Sequence, residues 1–182
     1  MYFGYSYSIP KEEQIRSEFY RHLTNDGALF ELEWNTYGLK NEANQKTEID
    51  LVSFAGEKVT ALLEIKRIWS LKGWNNKYDE FASDGLQPDS KKLHAAAARL
   101  RKADANSLAP EALVGLIIVS FAHKPDNLRE GRLRNVLDCI HGATVHELSS
   151  TGDQPLCEHI GNDSTSHPVY ARLDFLQLPQ NT

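Results

Sequence analysis

The spacing of hydrophobic positions predicts a helix followed by a β-hairpin in the first third of the chain. Ile15, Phe19 and Leu23 recur every four positions after Glu12, which places them on one face of a helix. Two apolar runs then flank the short Gly-containing segment 55–58, a pattern typical of two antiparallel strands joined by a tight turn. The predicted strands of this hairpin are Glu48–Phe54 and Val59–Ile65.

Later in the chain the predicted helices and strands alternate, which favours an α/β domain with a mixed central sheet flanked by helices. Asp89 is a suitable N-cap for a helix whose inner face is apolar and holds Leu93, Ala96, Ala97, Leu100 and Ala103. The segment 113–122 is nearly all apolar, as expected for a strand buried on both faces. The remaining predictions are a strand at 29–34, a loop at 35–46, an aromatic-rich loop at 68–88, helices at 89–102 and 128–141, strands at 143–148 and 169–178, and a loop at 149–166.

Length and composition fit one ordinary globular domain over residues 1–182. No run of about eighteen apolar residues occurs, so no membrane helix is expected. The first ten residues lack a basic region followed by an apolar run, so no secretory leader is expected. The only cysteines, Cys139 and Cys157, do not indicate a disulfide framework, and a reducing, cytoplasmic location is predicted.

The formal net charge of −5 argues against a protein that coats nucleic acid without specificity, since such binding depends on many contacts from Lys and Arg to phosphate. It does not exclude a nuclease, because a metal site requires carboxylates and a local basic face can coexist with an acidic total.

Asp50, Glu64 and Lys66 are the residues whose types and spacing indicate chemistry. Glu64 and Lys66 are two apart in a predicted strand and therefore point to the same face. If the hairpin pairs as predicted, Asp50 reaches that face from the neighbouring strand. Two carboxylates can hold Mg²⁺ together with water and substrate phosphate. A nearby ammonium can orient the water or stabilise the developing charge.

This arrangement resembles the PD-(D/E)xK nuclease superfamily, which includes type II restriction enzymes, Holliday-junction resolvases and repair nucleases. The matching residues are Asp50, thirteen intervening residues, and then Glu64-Ile65-Lys66. Ile49 stands where the family usually has proline, a departure that leaves the metal ligands intact. The resemblance covers Glu12 to Lys66, extends over 89–148 only in element order, and does not reach the last thirty-odd residues.

The resemblance implies a restriction-endonuclease-like fold, Mg²⁺ or Mn²⁺ as cofactor and metal ligation by Asp50 and Glu64. It also implies an accessory metal ligand, an acid on the first helix. Glu12 is favoured for this role because it shares the helical face of Ile15, whereas Glu13 and Glu18 lie off that face. DNA is the implied substrate, and a homodimer suits cuts on both strands of a duplex.

Several residues allow a simpler interpretation. Glu64 and Lys66 could form a solvated cross-strand pair, although the apolar residues around them indicate a largely buried strand. Arg67, Lys91 and Lys92 are possible substrate contacts, with a surface role the commoner outcome for such residues. Glu48 could be an extra ligand or a solvated residue at the strand entrance.

The aromatic residues of the 68–88 loop could stack on bases, support a dimer or form a local core. Cys157, Glu158 and His159, with His167 nearby, are residue types that bind zinc, but a second Cys pair is lacking and no zinc site is predicted there.

The predicted function is therefore metal-dependent hydrolysis of phosphodiester bonds by an endonuclease acting on DNA. A non-catalytic binding module on the same fold is the main alternative, and an enzyme acting on RNA or nucleotides is a third.

Overall fold

A mixed seven-stranded sheet organises the part of the chain that the structure describes. The structure is a computed structural model, and it describes residues 11–25, 29–40, 46–69, 86–103, 107–128, 144–147, 158–163 and 166–179. The strands are β1 (Phe30–Lys40), β2 (Lys46–Ala55), β3 (Lys58–Trp69), β4 (Leu108–Ala122), β5 (Thr144–Glu147), β6 (Glu158–Asn162) and β7 (Pro168–Gln177).

The strand order is β1-β2-β3-β4-β7-β5, and β6 also pairs with β7. Only the pairing of β3 with β4 is parallel; the other pairings of the described strands are antiparallel. A parallel pair needs a crossover connection, and the helix between β3 and β4 belongs to it. The mixed α/β class predicted from the sequence is confirmed.

Two helices cover opposite faces of the sheet. A hydrophobic layer lies between each helix and the face of the sheet that it covers. Helix α1 (Glu12–Asn25) contributes Ile15 to one layer, together with partly buried Phe19 and Leu23. Helix α2 (Gln87–Ala103) packs Leu93, Ala96 and Ala97 on the other layer. Neighbouring residues of β3 and β4 alternate between the two layers, so β4 is buried on both sides, as its composition predicts. The predicted inner faces of both helices are confirmed.

The hairpin of β2 and β3 is confirmed, with a turn at Gly56 and Glu57. Gly56 has φ of +63°, a left-handed conformation that glycine adopts without the steric cost of a side chain.

Several boundaries differ from the predictions. The segment 35–46, predicted as a loop, contains the end of β1, because β1 pairs with β2 at Asn35 and, after a register shift, again at Lys40 despite the polar composition. Likewise the predicted 149–166 loop contains β6, which gains its backbone partners from β7. Strand β4 begins at Leu108, and β3 extends to Trp69. Asp89 is not the N-cap, because α2 begins two residues earlier.

Other predictions fall outside the described residues. They include most of the 68–88 loop, the predicted helix at 128–141 apart from Leu128, which ends a short 3₁₀ helix at Pro125–Leu128, and both cysteines.

An irregularity in β1 and β2 shapes the region around Asp50. Leu32 and Leu51 are paired and belong to the layer under α1, whereas Trp34 and Ile49 are paired and belong to the layer under α2. Residues two apart in a regular strand share a face, so both strands change face between these pairs. Glu33, at this point in β1, has φ of +50°. Asp50 occupies the corresponding position in β2.

Candidate metal centre

The sheet opens between β2 and β3 at Asp50. Backbone pairing of the two strands ends at Leu51 and Leu63. Beyond that point, two backbone N–H groups of β3 donate to side-chain carboxylates: Ile65 to Asp50 Oδ2 at 2.8 Å, and Arg67 to Glu12 Oε2 at 3.4 Å. The two carboxylates thus replace the acceptors that β2 would otherwise supply. The opening brings acids from β2 and α1 to β3.

Glu64 lies at the centre of this region and is only 2% exposed. Its Oε1 accepts a hydrogen bond from the Asp50 N–H at 3.2 Å, and its Oε2 lies 2.7 Å from Lys92 Nζ. Burial raises the pKa of Glu64 to about 8; repulsion from Asp50 adds to the rise, and Lys92 opposes it. The solvated cross-strand pair considered for Glu64 and Lys66 is therefore wrong for Glu64, which is buried and paired with a helix residue.

Lys66 joins both helices to the site. Its Nζ lies 2.8 Å from Asp89 Oδ2 on α2 and 3.8 Å from Glu12 Oε1 on α1. The Asp89 contact is a close ion pair between two partly buried side chains. Burial works against the charge of Lys66, but Asp89 and Glu12 outweigh it, and the pKa is raised. Lys66 therefore keeps its charge at neutral pH.

Arg16, which lies on α1, contacts the candidate metal centre through Asp50. Its Nη1 donates to Asp50 Oδ1 at 2.8 Å, and its Nη2 lies 2.7 Å from Glu33 Oε1. Burial by itself favours a lower pKa for Arg16. The hydrogen bond to Asp50 and the negative charges of Asp50 and Glu33 outweigh this effect, so the pKa of Arg16 is raised. The Asp50 carboxylate therefore has acceptor contacts with both a backbone N–H and a guanidinium.

The charges around the opening do not cancel. Three cations face five carboxyl groups, which are Glu12, Glu33, Asp50, Glu64 and Asp89. Because the raised pKa of Glu64 keeps this residue protonated at neutral pH, the excess is one negative charge, and an added cation would relieve the repulsion between Asp50 and an ionised Glu64.

Oxygen donors are those that Mg²⁺ and Mn²⁺ prefer, and one or two carboxylates can suffice when water and substrate phosphate complete the shell. Within the described ranges, no three His, Cys, Asp or Glu side chains are arranged to hold a metal ion. A metal site within these ranges would therefore have to be built on two carboxylates, Asp50 and Glu64.

The structure brings most of the predicted site residues together. Asp50, Glu64, Lys66 and Glu12 lie at the opening, and Lys92 contacts Glu64 there. The backbone of Arg67 takes part through Glu12. Lys91 is exposed on α2 outside the opening.

Two acids weighed as alternatives lie elsewhere. Glu18 pairs with Arg21 on the surface of α1, and Glu13 is exposed. Glu48 has an exposed side chain, and its carbonyl oxygen accepts a hydrogen bond from Lys92 Nζ at 2.9 Å.

Three site residues were not predicted as such: Arg16, Glu33 and Asp89. Arg16 is four residues after Glu12 and so one turn along the same helix, which is a usable signal once Glu12 is chosen. Asp89 is three residues before Lys92 and lies 4.0 Å from its Nζ. Nothing in the sequence distinguishes Glu33 from Glu31, since only the backbone irregularity brings Glu33 to Arg16.

Comparison of the chain with models of known protein families, with curated proteins and with solved structures finds no match. Among the described helices, none has both the length and the apolar character needed to cross a membrane.

Glu12→Gln is expected to reduce activity more than Glu13→Gln or Glu18→Gln, because Glu12 alone of the three contacts Lys66 and the β3 backbone. We expect the nicking rate to fall about tenfold or more, since the change removes one of the two acids that position the Lys66 ammonium. Initial rates of plasmid nicking at saturating Mg²⁺ measure the effect. A larger loss in Glu18→Gln would contradict the placement of the helix acid.

Proposed function

We propose that this chain is a divalent-metal-dependent nuclease that hydrolyses phosphodiester bonds in DNA, with a site of the PD-(D/E)xK type. The observation that carries the proposal is the adjacency of Asp50 and the buried Glu64, with the Lys66 ammonium held beside them by two acids from opposite helices. A buried carboxylate next to another carboxylate is costly unless it has a function or a cation.

Each residue has a distinct role in the proposed reaction. Asp50 and Glu64 would hold Mg²⁺ or Mn²⁺, which supplies an activated water and neutralises charge on the phosphate. Lys66 keeps its charge and can stabilise the negative charge that develops on the phosphate oxygens or orient the attacking water. Asp89 and Glu12 fix the position of the Lys66 ammonium. The burial of Glu64 strengthens these electrostatic interactions, since bulk water screens them less.

A binding module without catalysis is the second candidate. It is favoured by the cationic partners that Asp50 and Glu64 already have, Arg16 and Lys92. In that case the ion pairs would serve to hold the helices on the sheet, and loss of the acids would affect stability alone.

Nicking of supercoiled plasmid DNA separates the two candidates. We expect the wild-type protein to nick the plasmid with Mg²⁺ or Mn²⁺ and to bind it with little cutting in Ca²⁺. Calcium has the same charge but longer and less rigid coordination, which does not favour in-line attack. Linear duplex, single strands and RNA are tested in parallel. A pure protein that cuts none of these substrates with either metal would overturn the nuclease and favour the binding module.

A further inference from the structure

The ammonium group of Lys92 lies among oxygen atoms at the candidate metal centre. Its Nζ lies 2.7 Å from Glu64 Oε2, donates to the Glu48 carbonyl oxygen at 2.9 Å and lies 4.0 Å from Asp89 Oδ1. These oxygens belong to β3, β2 and α2, and they are two carboxylates and a backbone carbonyl. Carboxylate and carbonyl oxygens are also the donors that Mg²⁺ and Mn²⁺ prefer. Lys92 therefore contacts Glu64 in the way that a bound cation would.

The oxygens of both proposed metal ligands are already engaged while Lys92 is in this position. Glu64 Oε1 accepts the hydrogen bond of the Asp50 N–H, and Asp50 Oδ2 accepts that of the Ile65 N–H. Glu64 Oε2 contacts Lys92. Asp50 Oδ1 accepts a hydrogen bond from Arg16. A divalent ion bound to both acids would therefore come close to two side-chain cations, and charge repulsion in a partly buried site opposes their joint occupation of Glu64 Oε2.

Lys92 is better able than Arg16 to leave the site. Arg16 also contacts Glu33 at 2.7 Å, an acid outside the proposed ligand set, so the guanidinium keeps one anchor when a metal binds. The closest contact of Lys92 is Glu64 itself, and the next is a neutral backbone carbonyl. The Lys92 side chain is 28% exposed, which gives the ammonium a route to solvent.

We propose that the Lys92 ammonium takes the place of a divalent metal ion in the metal-free protein and leaves Glu64 when the metal binds. The inference rests on the proposed function for the metal and adds a metal-dependent change in the site. Lys92 lies in the second turn of α2 and stays beside the site after its release. Its charge then becomes available to a phosphate of the substrate, a contact that positions a nucleic acid without reading its sequence. Metal binding and substrate binding are thereby coupled through one side chain.

Acetylation of lysine amines measures this release directly. The wild-type protein, without nucleic acid, is treated at pH 9 with the acetyl ester of N-hydroxysuccinimide, either in EDTA or in saturating Mg²⁺ at equal ionic strength. This pH lies above the pKa of about 8 of Glu64, so the acid is ionised in the metal-free sample. Mass spectrometry gives the rate at each lysine, and the exposed neighbour Lys91 is the internal reference.

We expect Lys92 to react about fivefold more slowly than Lys91 in EDTA, because a charge-assisted contact withholds its amine from the reagent. Saturating Mg²⁺ should bring the rate at Lys92 close to that at Lys91 and leave Lys91 unchanged. Asp50→Asn is the matched control, since it lacks a proposed metal ligand but keeps the contact between Lys92 and Glu64. Mg²⁺ should not change the rate at Lys92 in this variant.

Calorimetry on the wild-type protein shows separately whether Mg²⁺ is bound. Bound Mg²⁺ with an unchanged rate at Lys92 would overturn the proposal and leave the nuclease intact. Equal acceleration in Asp50→Asn would also overturn it, because the effect would then not come from the metal centre. A wild-type protein that binds no divalent metal would overturn both proposals. Release of Lys92 by Mg²⁺ in a protein that cuts no nucleic acid would support the displacement and overturn the nuclease.

Discussion

Asp50→Asn is expected to abolish both Mn²⁺ binding and DNA cleavage, whereas Lys66→Met is expected to abolish cleavage and leave Mn²⁺ binding intact. Asparagine removes the charge of a proposed metal ligand while its amide oxygen can still accept the hydrogen bond from the Ile65 N–H. Lys66 is an ammonium and cannot be a ligand, so its removal should affect the reaction alone. We expect at least about a 100-fold loss of cleavage in each variant, as for other groups that stabilise developing charge.

Titration calorimetry with Mn²⁺ and plasmid nicking on the same preparations measure the two effects. Glu31→Gln serves as the control, because it removes an exposed acid from β1 without touching the opening. Thermal unfolding shows whether each variant remains folded. Unchanged Mn²⁺ affinity in Asp50→Asn would contradict its assignment as a ligand, and wild-type cleavage by Lys66→Met would contradict the role of the ammonium.

Glu64→Gln is expected to stabilise the metal-free protein at pH 9 and to have little effect at pH 5. The pKa of Glu64 is raised from 4.5 to about 8 in the folded state, so the folded protein retains a proton that the unfolded chain releases. Stability from this residue is therefore lost as the pH rises from 4.5 to 8. The full shift corresponds to about 5 kcal/mol, and relaxation around the buried charge makes this an upper bound.

Glutamine resembles the protonated acid in shape and does not acquire a buried charge at high pH. Chemical denaturation in EDTA at pH 5, 7 and 9 gives the free energy of unfolding for the wild-type protein and the variant. Glu57→Gln, in the exposed hairpin turn, is the matched control, and its difference from wild type should stay small throughout. A constant difference between Glu64→Gln and wild type across the three pH values would show that Glu64 is not the titrating group.

The elements with a regular hydrophobic period were predictable from the sequence. The period of four in α1 identified its buried face and with it Glu12, which the structure places at the site. The hairpin put Asp50 and Glu64 on adjacent strands. These predictions succeed because burial of one face fixes the orientation of every residue in a regular helix or strand.

The irregular features were not predictable from periodicity. Simple strand alternation suggested that Asp50 reaches Glu64 from a strand paired with β3. The pairing of β2 with β3 ends before Asp50, however, and β1 and β2 both change face there. The roles of Arg16 and Asp89 depend on contacts between helices and strands distant in sequence. The end of β1 and the whole of β6 depend on backbone pairing, which polar composition does not reveal.

Strand β7 pairs with three other strands and therefore determines the order in which the sheet can assemble. Strands β4, β5 and β6 all pair with β7, and β7 follows each of them along the chain. During synthesis, β1 to β4 can therefore form a partial sheet that already contains Asp50, Glu64 and Lys66, while one edge of β4 still lacks a partner. Strand β4 is apolar, and the unpaired edge of an apolar strand promotes aggregation until another strand pairs with it. Slow, non-local pairing of residues 168–177 would then be the step that protects the nascent protein.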